Sequence, residues 1–182
     1  MQVIYLSNRP DVLLDTLKSV ATWMPFVDSA LACMPAKAIA GIQSQKLPLN
    51  CEFIDESELF SKSEYSELLK TDHQTRNYAL RQRLVARGEV EPLFLMSDDD
   101  ARPLRPIEKS QFIQDNKYRN YYFYDLAHWN NARTEFDHGQ HCTFAVLNFN
   151  ALPTLSYASH QPQIIDKELF LLASERFAED AL

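Results

Sequence analysis

The first hundred residues alternate between short apolar runs and longer amphipathic segments, and this alternation limits the fold more than any other feature. Apolar residues recur at helical spacing up to Met24, and a helical pattern returns between Ser63 and Gly88. The apolar runs with the length of buried strands cover 3–6, 29–34, 51–54 and 93–97. Strands that alternate with helices predict an α/β fold with a largely parallel sheet and helices on its faces.

The fourth apolar run ends abruptly in three carboxylates, Asp98, Asp99 and Asp100. Adjacent carboxylates repel one another, and a divalent cation is the usual counter-charge. Because Mg²⁺ and Mn²⁺ prefer oxygen ligands, the triplet predicts a metal site at a strand end, suited to holding a diphosphate. Two alternatives stay open: a solvated loop that binds nothing, or neutralisation by the nearby Arg102 and Arg105.

Polar residues also follow the first predicted strand, as Ser7, Asn8 and Arg9. Ligands of parallel α/β sheets bind beyond the carboxyl ends of the strands. We therefore expect Asn8 and Arg9 to lie at the same sheet edge as the acidic triplet. Arg76 shares a helix face with Leu80. Its side chain either packs its stem on the core with the head in water, or points at an anionic ligand.

Composition narrows the classes of function. A chain of 182 residues that is 46% hydrophobic predicts a single domain over 1–182 with a sizeable core. With only three glycines, no Gly-rich phosphate loop is available, so metal, arginine or helix N-termini must bind any phosphate. The net charge of -7 argues against nucleic-acid binding.

The cysteines and the apolar runs bear on location. The chain has three cysteines, which are Cys33, Cys51 and Cys142. Their odd number and wide spacing favour neither a disulfide framework nor a zinc ribbon, and they indicate that the protein is located in the reducing cytoplasm. No apolar run approaches the roughly 18 residues of a membrane span. An association with a membrane surface stays open, and the sequence does not determine the oligomeric state.

The second half of the chain is less regular. Strands are predicted over Tyr121–Tyr124 and Thr143–Phe149. The polar and aromatic stretch between them is either a binding loop or an ordinary surface loop. A last helix is expected to begin after Asp166, its N-cap. The apolar face of that helix is predicted to consist of Leu169, Phe170, Ala173 and Phe177.

Three segments together resemble nucleotide-sugar glycosyltransferases of the GT-A fold: Ser7-Asn8-Arg9-Pro10, Thr75-Arg76-Asn77-Tyr78-Ala79-Leu80 and Asp98-Asp99-Asp100. They look like the Asn-Arg-Pro segment after strand one, the Arg-Asn helix and the DxD motif of those enzymes. The resemblance covers residues 1–107. It implies a GT-A-like, Rossmann-related three-layer α/β/α sandwich, with 1–107 as the nucleotide-sugar-binding half and 108–182 as the acceptor-side half.

The same resemblance implies a metal-dependent glycosyltransferase. Its donor would be a nucleoside diphosphate sugar, its acceptor a glycan or other hydroxyl compound, its cofactor Mn²⁺ or Mg²⁺, and its setting polysaccharide or glycoconjugate synthesis. Asp100 would coordinate the metal directly, and Asp98 would touch the ribose or reach the metal through water. Asp99 would face the donor sugar, and His160 would complete the metal sphere.

The remaining substrate contacts follow from the other two segments. Ser7, Asn8 and Arg9 would contact the nucleotide. Arg76 and Asn77 would steady the diphosphate or the strand that carries the DxD motif.

The catalytic base depends on stereochemistry. If the enzyme inverts the anomeric centre, a carboxylate must deprotonate the acceptor hydroxyl. Asp137 is the preferred candidate, and Glu135 is the other. If the enzyme retains configuration, no such base is required.

Two other functions stay open. Phe94–Ile107 and His160–Lys167 also resemble Stealth-type sugar-phosphate transferases, which transfer a hexose 1-phosphate and form a phosphodiester. The chain could instead be a non-catalytic sugar- or nucleotide-binding module. The intact acidic triplet weighs against such a module.

Overall fold

The structure is a computed structural model, and it describes residues 1–157 and 160–177. The chain separates into two compact units. The sheet unit contains residues 1–119 and the described residues from Pro162 onward, and the insertion unit contains Asn120–Gln161. The expectation of one glycosyltransferase-like domain over 1–182, divided at residue 107, stays a prediction.

The sheet unit carries most of the regular structure. Its strands are β1 Gln2–Leu6, β2 Ser29–Met34, β3 Asn50–Asp55, β4 Leu93–Met96, β5 Ile113–Gln114, β6 Lys117–Tyr118 and β9 Gln163–Asp166. Its helices are α1 Pro10–Trp23, α2 Ala36–Gln43, α3 Lys62–Leu68, α4 His73–Val85 and α6 Lys167–Arg176. The insertion unit contains β7 Tyr124–Asp125, α5 Glu135–Phe149 and β8 Leu155–Ser156.

Five strands form the central sheet in the order β3-β2-β1-β4-β9. Val3 of β1 lies opposite Ala30 of β2 on one side and opposite Leu95 of β4 on the other, and both pairings are parallel. β3 is parallel to β2, and β9 is antiparallel to β4 with Ile164 opposite Leu95. The prediction of an α/β fold with a mostly parallel sheet is confirmed, and β9 is an edge strand that the sequence pattern did not predict.

Helices cover both faces of this sheet. Successive strand residues point to opposite faces, so Val3 and Tyr5 pack with α1 and α2, whereas Ile4 packs with α3 and α4. Burial on both sides explains why β1 is an uninterrupted apolar run after Gln2. Six apolar residues recur at helical spacing in the first helix: Leu13, Leu17, Val20 and Met24 are buried, whereas Leu14 and Ala21 are only partly buried.

The sheet order places a topological switch point between β1 and β4. From β1 the chain moves outward through β2 to β3, and then returns to place β4 on the other side of β1. At such a point the loops that leave neighbouring strands diverge and leave a crevice at the carboxyl edge. In this chain the loops after β1 and β4 carry the polar residues that the sequence singled out.

The helix ends follow from local capping. Asp72 is the N-cap of α4, since its carboxylate accepts from Thr75 N at 2.8 Å. Asp166 is the N-cap of α6, as predicted, and accepts from Leu169 N at 3.1 Å.

The inner face of α6 differs from the prediction. Phe170 and Leu171 pack against the core cluster on the α4 side of the sheet, and Ser174 is buried. Leu169 is 58% exposed and Ala173 is also exposed. The apolar residues of this helix surround it too evenly for the pattern to select one face.

The predicted strand over Thr143–Phe149 is wrong, because these residues form the second half of α5. Thr134 and Asp137 make a capping box that starts the helix, and it continues for 15 residues. Strand propensity depends on the partner that a segment pairs with, and none of the strands among the described residues pairs with this segment. Of the predicted strand at 121–124, only Tyr124 lies in a strand.

Among the described residues, none of the helices combines the length and the apolar character needed to cross a bilayer.

Candidate functional site

The loops that leave β1 and β4 meet at the carboxyl edge of the sheet. Pairing between these strands continues beyond β4, because Ser97 N donates to Ile4 O at 3.1 Å. On the other side of β1, Ser7 N donates to Cys33 O at 3.1 Å. Both loops therefore begin from firmly paired backbone, and the expectation that Arg9 lies at the same edge as the acidic triplet is met.

Asp99 joins the two loops. It is only 5% exposed, and its carboxylate accepts from Ser7 Oγ at 2.5 Å and from both Nε and Nη2 of Arg9. Its backbone carbonyl accepts from Thr16 Oγ1 of α1 at 2.5 Å. A buried carboxylate needs such partners, since burial without them is costly. Asp99 thus points into the protein and holds the loops together.

Asp98 and Asp100 are the more accessible members of the triplet. Asp98 is partly exposed and Asp100 is exposed, and one carboxylate oxygen of each lies within 4.8 Å of the other. Their oxygens are the kind of donors that Mg²⁺ and Mn²⁺ prefer. These two residues fit a divalent cation better than Asp99 does.

Two arginines supply positive charge to the triplet. Arg9 Nη2 lies 3.1 Å from Asp100 Oδ2 in addition to its bonds with Asp99, and Arg81 Nη2 lies 3.6 Å from Asp98 Oδ1. Hydrogen bonds to Asp99 and then Asp100 raise the pKa of Arg9 above its usual value. Three carboxylates and two guanidinium groups leave one net negative charge.

The arginines that contact the triplet are not the two that follow it in sequence. Arg102 pairs with Asp15 of α1 at 3.7 Å. Arg81 was missed, although it lies one helical turn after Asn77 on the same face of α4. That i, i+4 spacing was a usable signal, since Asn77 was already a candidate.

The other candidates of the sheet unit occupy the surface around these loops. Asn8 is exposed at a bend after β1. Arg76 and Asn77 are half-buried on α4, and Asn77 Nδ2 lies 3.2 Å from His73 Nε2. The substrate contacts expected of Asn8, Arg76 and Asn77 stay predictions.

Asp137 lies in the first turn of α5 and is 5% exposed. Oδ2 accepts from Arg133 N, Thr134 N and Thr134 Oγ1 at 2.8–3.0 Å, and Oδ1 accepts from Trp129 Nε1 at 3.1 Å. Burial acts to raise the pKa of Asp137, but these hydrogen bonds outweigh it and hold the pKa below its usual value. The contacts describe a helix cap, while the role of catalytic base stays a prediction.

Two more candidates lie in the insertion unit. Glu135 is exposed in the first turn of α5. His160 is exposed and has a left-handed backbone with φ of 51°. Its role as a metal ligand stays a prediction.

No protein-family model matches this chain, and no curated protein matches it at the significance threshold. Among solved structures, the chain is similar to a crystal structure of 4-diphosphocytidyl-2C-methyl-D-erythritol synthase from Anaerococcus prevotii. That match has 14% sequence identity and a TM-score of 0.41, and it covers 98% of this chain and 76% of the other. The α/β assignment therefore rests on the sheet order of this chain itself.

Proposed function

We propose that the protein is a metal-dependent transferase that moves a sugar from a nucleoside diphosphate sugar to a hydroxyl acceptor. The observation that carries this proposal is the position of the acidic triplet. The triplet leaves β4 next to the loop after β1, at the switch point of a mostly parallel sheet. That crevice is where sheets of this kind bind their ligands.

A divalent cation fits the donor set. Asp98 and Asp100 present carboxylate oxygens within 4.8 Å of each other, and both are accessible to solvent. These two residues would hold Mn²⁺ or Mg²⁺. When bound, the metal would act as a Lewis acid that stabilises the charge on the departing diphosphate.

The chain itself would bind and orient the donor. α1 begins at Pro10, directly after the loop that carries Ser7, Asn8 and Arg9, so its free N–H groups lie at the carboxyl edge. The positive end of a helix favours phosphate. Arg81 and Arg9 supply further cationic groups beside the triplet. A donor diphosphate would therefore meet donors from α1 and from the two arginines.

The first test is a thermal-shift panel with UDP, GDP, CDP, dTDP and CMP, each with and without Mn²⁺. A ligand that binds the native state raises the unfolding temperature by mass action. We expect one nucleotide to produce a shift that depends on Mn²⁺ and disappears in Asp100→Asn. Glu67→Gln is the matched control, because Glu67 is an exposed carboxylate on α3 that pairs with Lys70 at 2.6 Å.

Sugar transfer is then tested with a nucleotide sugar that carries the same nucleotide as the one that raises the unfolding temperature. We expect Asp100→Asn to lose metal-dependent donor hydrolysis and transfer while its circular dichroism spectrum stays unchanged. Full turnover by Asp100→Asn would remove the metal assignment. No shift with any nucleotide and no donor hydrolysis by the wild type would contradict the proposed function.

A further inference from the structure

The contacts of Arg9 separate the three aspartates into different roles. Its guanidinium group bonds to Asp99 through Nε and Nη2, and the same Nη2 lies 3.1 Å from Asp100 Oδ2. Arg9 comes from the loop after β1, about ninety residues before the triplet in sequence. One cation is thus shared between a buried carboxylate and an exposed one.

Asp99 fixes where this guanidinium group lies. A planar guanidinium that donates two hydrogen bonds to one carboxylate is held in direction as well as in position. Ser7 Oγ donates to the same carboxylate at 2.5 Å, and Thr16 Oγ1 holds the backbone carbonyl of Asp99. The anchoring group is buried, whereas half of the Arg9 side chain and half of the Asp100 side chain are exposed.

We propose that Arg9 is a built-in counter-cation for Asp100, and that Asp99 is the positioning residue that keeps it there. A divalent cation then competes with Arg9 for Asp100. The inference rests on the proposed function only in taking Asp100 as a metal ligand. It assigns Asp99 to Arg9 rather than to the donor sugar.

Competition has a consequence for metal binding. With Arg9 in place, Mn²⁺ must displace the guanidinium group from Asp100 and must also bind close to the positive charge of that group. An anionic ligand that draws Arg9 away from Asp100 removes both penalties, so metal and diphosphate favour each other's binding through this one side chain. The metal alone binds weakly because its ligand is already paired.

The test is the affinity for Mn²⁺ alone, measured from the electron paramagnetic resonance signal of the free ion. We expect Arg9→Gln to bind Mn²⁺ roughly three- to fivefold more tightly than the wild type, the size expected for loss of one half-exposed charge contact. Structural damage at the site would weaken binding, so tighter binding is not explained by misfolding.

Arg102→Gln is the matched control for net charge. Arg102 is also a partly exposed arginine in the sheet unit, but it pairs with Asp15 rather than with the triplet. We expect Arg102→Gln to bind Mn²⁺ like the wild type. An equal rise in affinity in both variants would mean that net charge alone is responsible, and would overturn the proposal.

A second variant guards against loss of folding. Arg9→Gln leaves Asp99 buried without its cation, whereas the double variant R9Q/D99N removes both charges and keeps the net charge of the chain. We expect the double variant to bind Mn²⁺ more tightly than the wild type too. Affinity equal to or below that of the wild type in both variants, including no detectable binding in any protein, would overturn the counter-cation role.

The outcome is separable from that of the proposed function. Sugar transfer by the wild type without a rise in Mn²⁺ affinity in the variants would refute only the role of Arg9. A rise in affinity with no donor hydrolysis by the wild type would refute only the transferase.

Discussion

Three identical side chains in a row have three different environments. Asp99 is buried against Ser7 and Arg9, Asp98 is partly exposed beside Arg81, and Asp100 is exposed. Asp99 and Asp100 lie in a turn in which Ala101 N donates to Asp98 O at 3.2 Å, and within this turn Asp99 is buried while Asp100 is exposed. The side-chain partners of Asp99 come from a loop about ninety residues earlier, which is why the triplet by itself predicted a metal site without showing that Asp99 is buried.

Tyr5 offers a prediction about stability. It is 1% exposed, and among the described residues its hydroxyl oxygen is a buried side-chain polar atom with no hydrogen-bond partner. Burial of an unpaired hydroxyl is unfavourable. We expect Tyr5→Phe to leave the free energy of unfolding unchanged or to raise it by about 1 kcal/mol, measured by urea denaturation. A clear decrease in the free energy of unfolding of Tyr5→Phe would mean that the hydroxyl has a hydrogen-bond partner.

The same residue predicts a dependence on alkaline pH. Burial, and to a lesser extent Cys51, raises the pKa of Tyr5 in the native state above its ordinary 10.0. Above pH 10 the unfolded chain releases this proton while the native state keeps it, so stability falls as pH rises. We expect Tyr5→Phe to lose less stability than the wild type between neutral pH and pH 11. Parallel stability curves would contradict the assignment.

At the scale of elements, capping explains both the successes and the main error of the sequence analysis. Asp166 was predicted as the N-cap of the last helix because Asp before an apolar helical pattern is a local signal. The signal at Thr134 and Asp137 is equally local, but Asp137 was interpreted as a catalytic base. Local chemistry could therefore have predicted α5, had the capping box been recognised.

The dual interpretation of Asp137 is testable. The two carboxylate oxygens of Asp137 accept hydrogen bonds from four donors. In Asp137→Asn one oxygen is replaced by an NH₂ group, which cannot accept and would face these N–H or O–H donors. We expect this variant to lower the unfolding temperature by several degrees, measured by circular dichroism, with the folded fraction still active. Glu135→Gln is the matched control for stability, because Glu135 is exposed in the same helical turn, and its turnover tests the other candidate base. Lost turnover with unchanged stability would support the catalytic base instead.

At the scale of the whole molecule, the two units differ in how much apolar surface they bury. The sheet unit has core clusters on both faces of its sheet. Among the described residues of the insertion unit, Leu126 is the one buried apolar residue. Trp129 instead makes edge-on contacts with Phe123, Tyr124 and Phe136, three rings that are at least one-third exposed.

This difference predicts unequal resistance to opening. Regions with few buried apolar contacts open locally at a lower free energy than the core. We expect native-state hydrogen exchange to show amides of α5 opening well below the global free energy of unfolding, and amides of β1 and β4 opening only near it. Equal opening free energies in both units would contradict this prediction and would describe one cooperative molecule.

The sequence by itself determined the class of the fold, because strands buried on both faces must be continuously apolar and the first helix must carry an apolar stripe. It also determined that polar groups follow two of those strands, at Ser7–Arg9 and at Asp98–Asp100. Only the tertiary structure decided that β1 and β4 are neighbours, that Arg9 and Arg81 rather than Arg102 and Arg105 contact the triplet, and that Asp99 is buried. These outcomes depend on which distant segments pair, and strand order leaves no mark in local spacing.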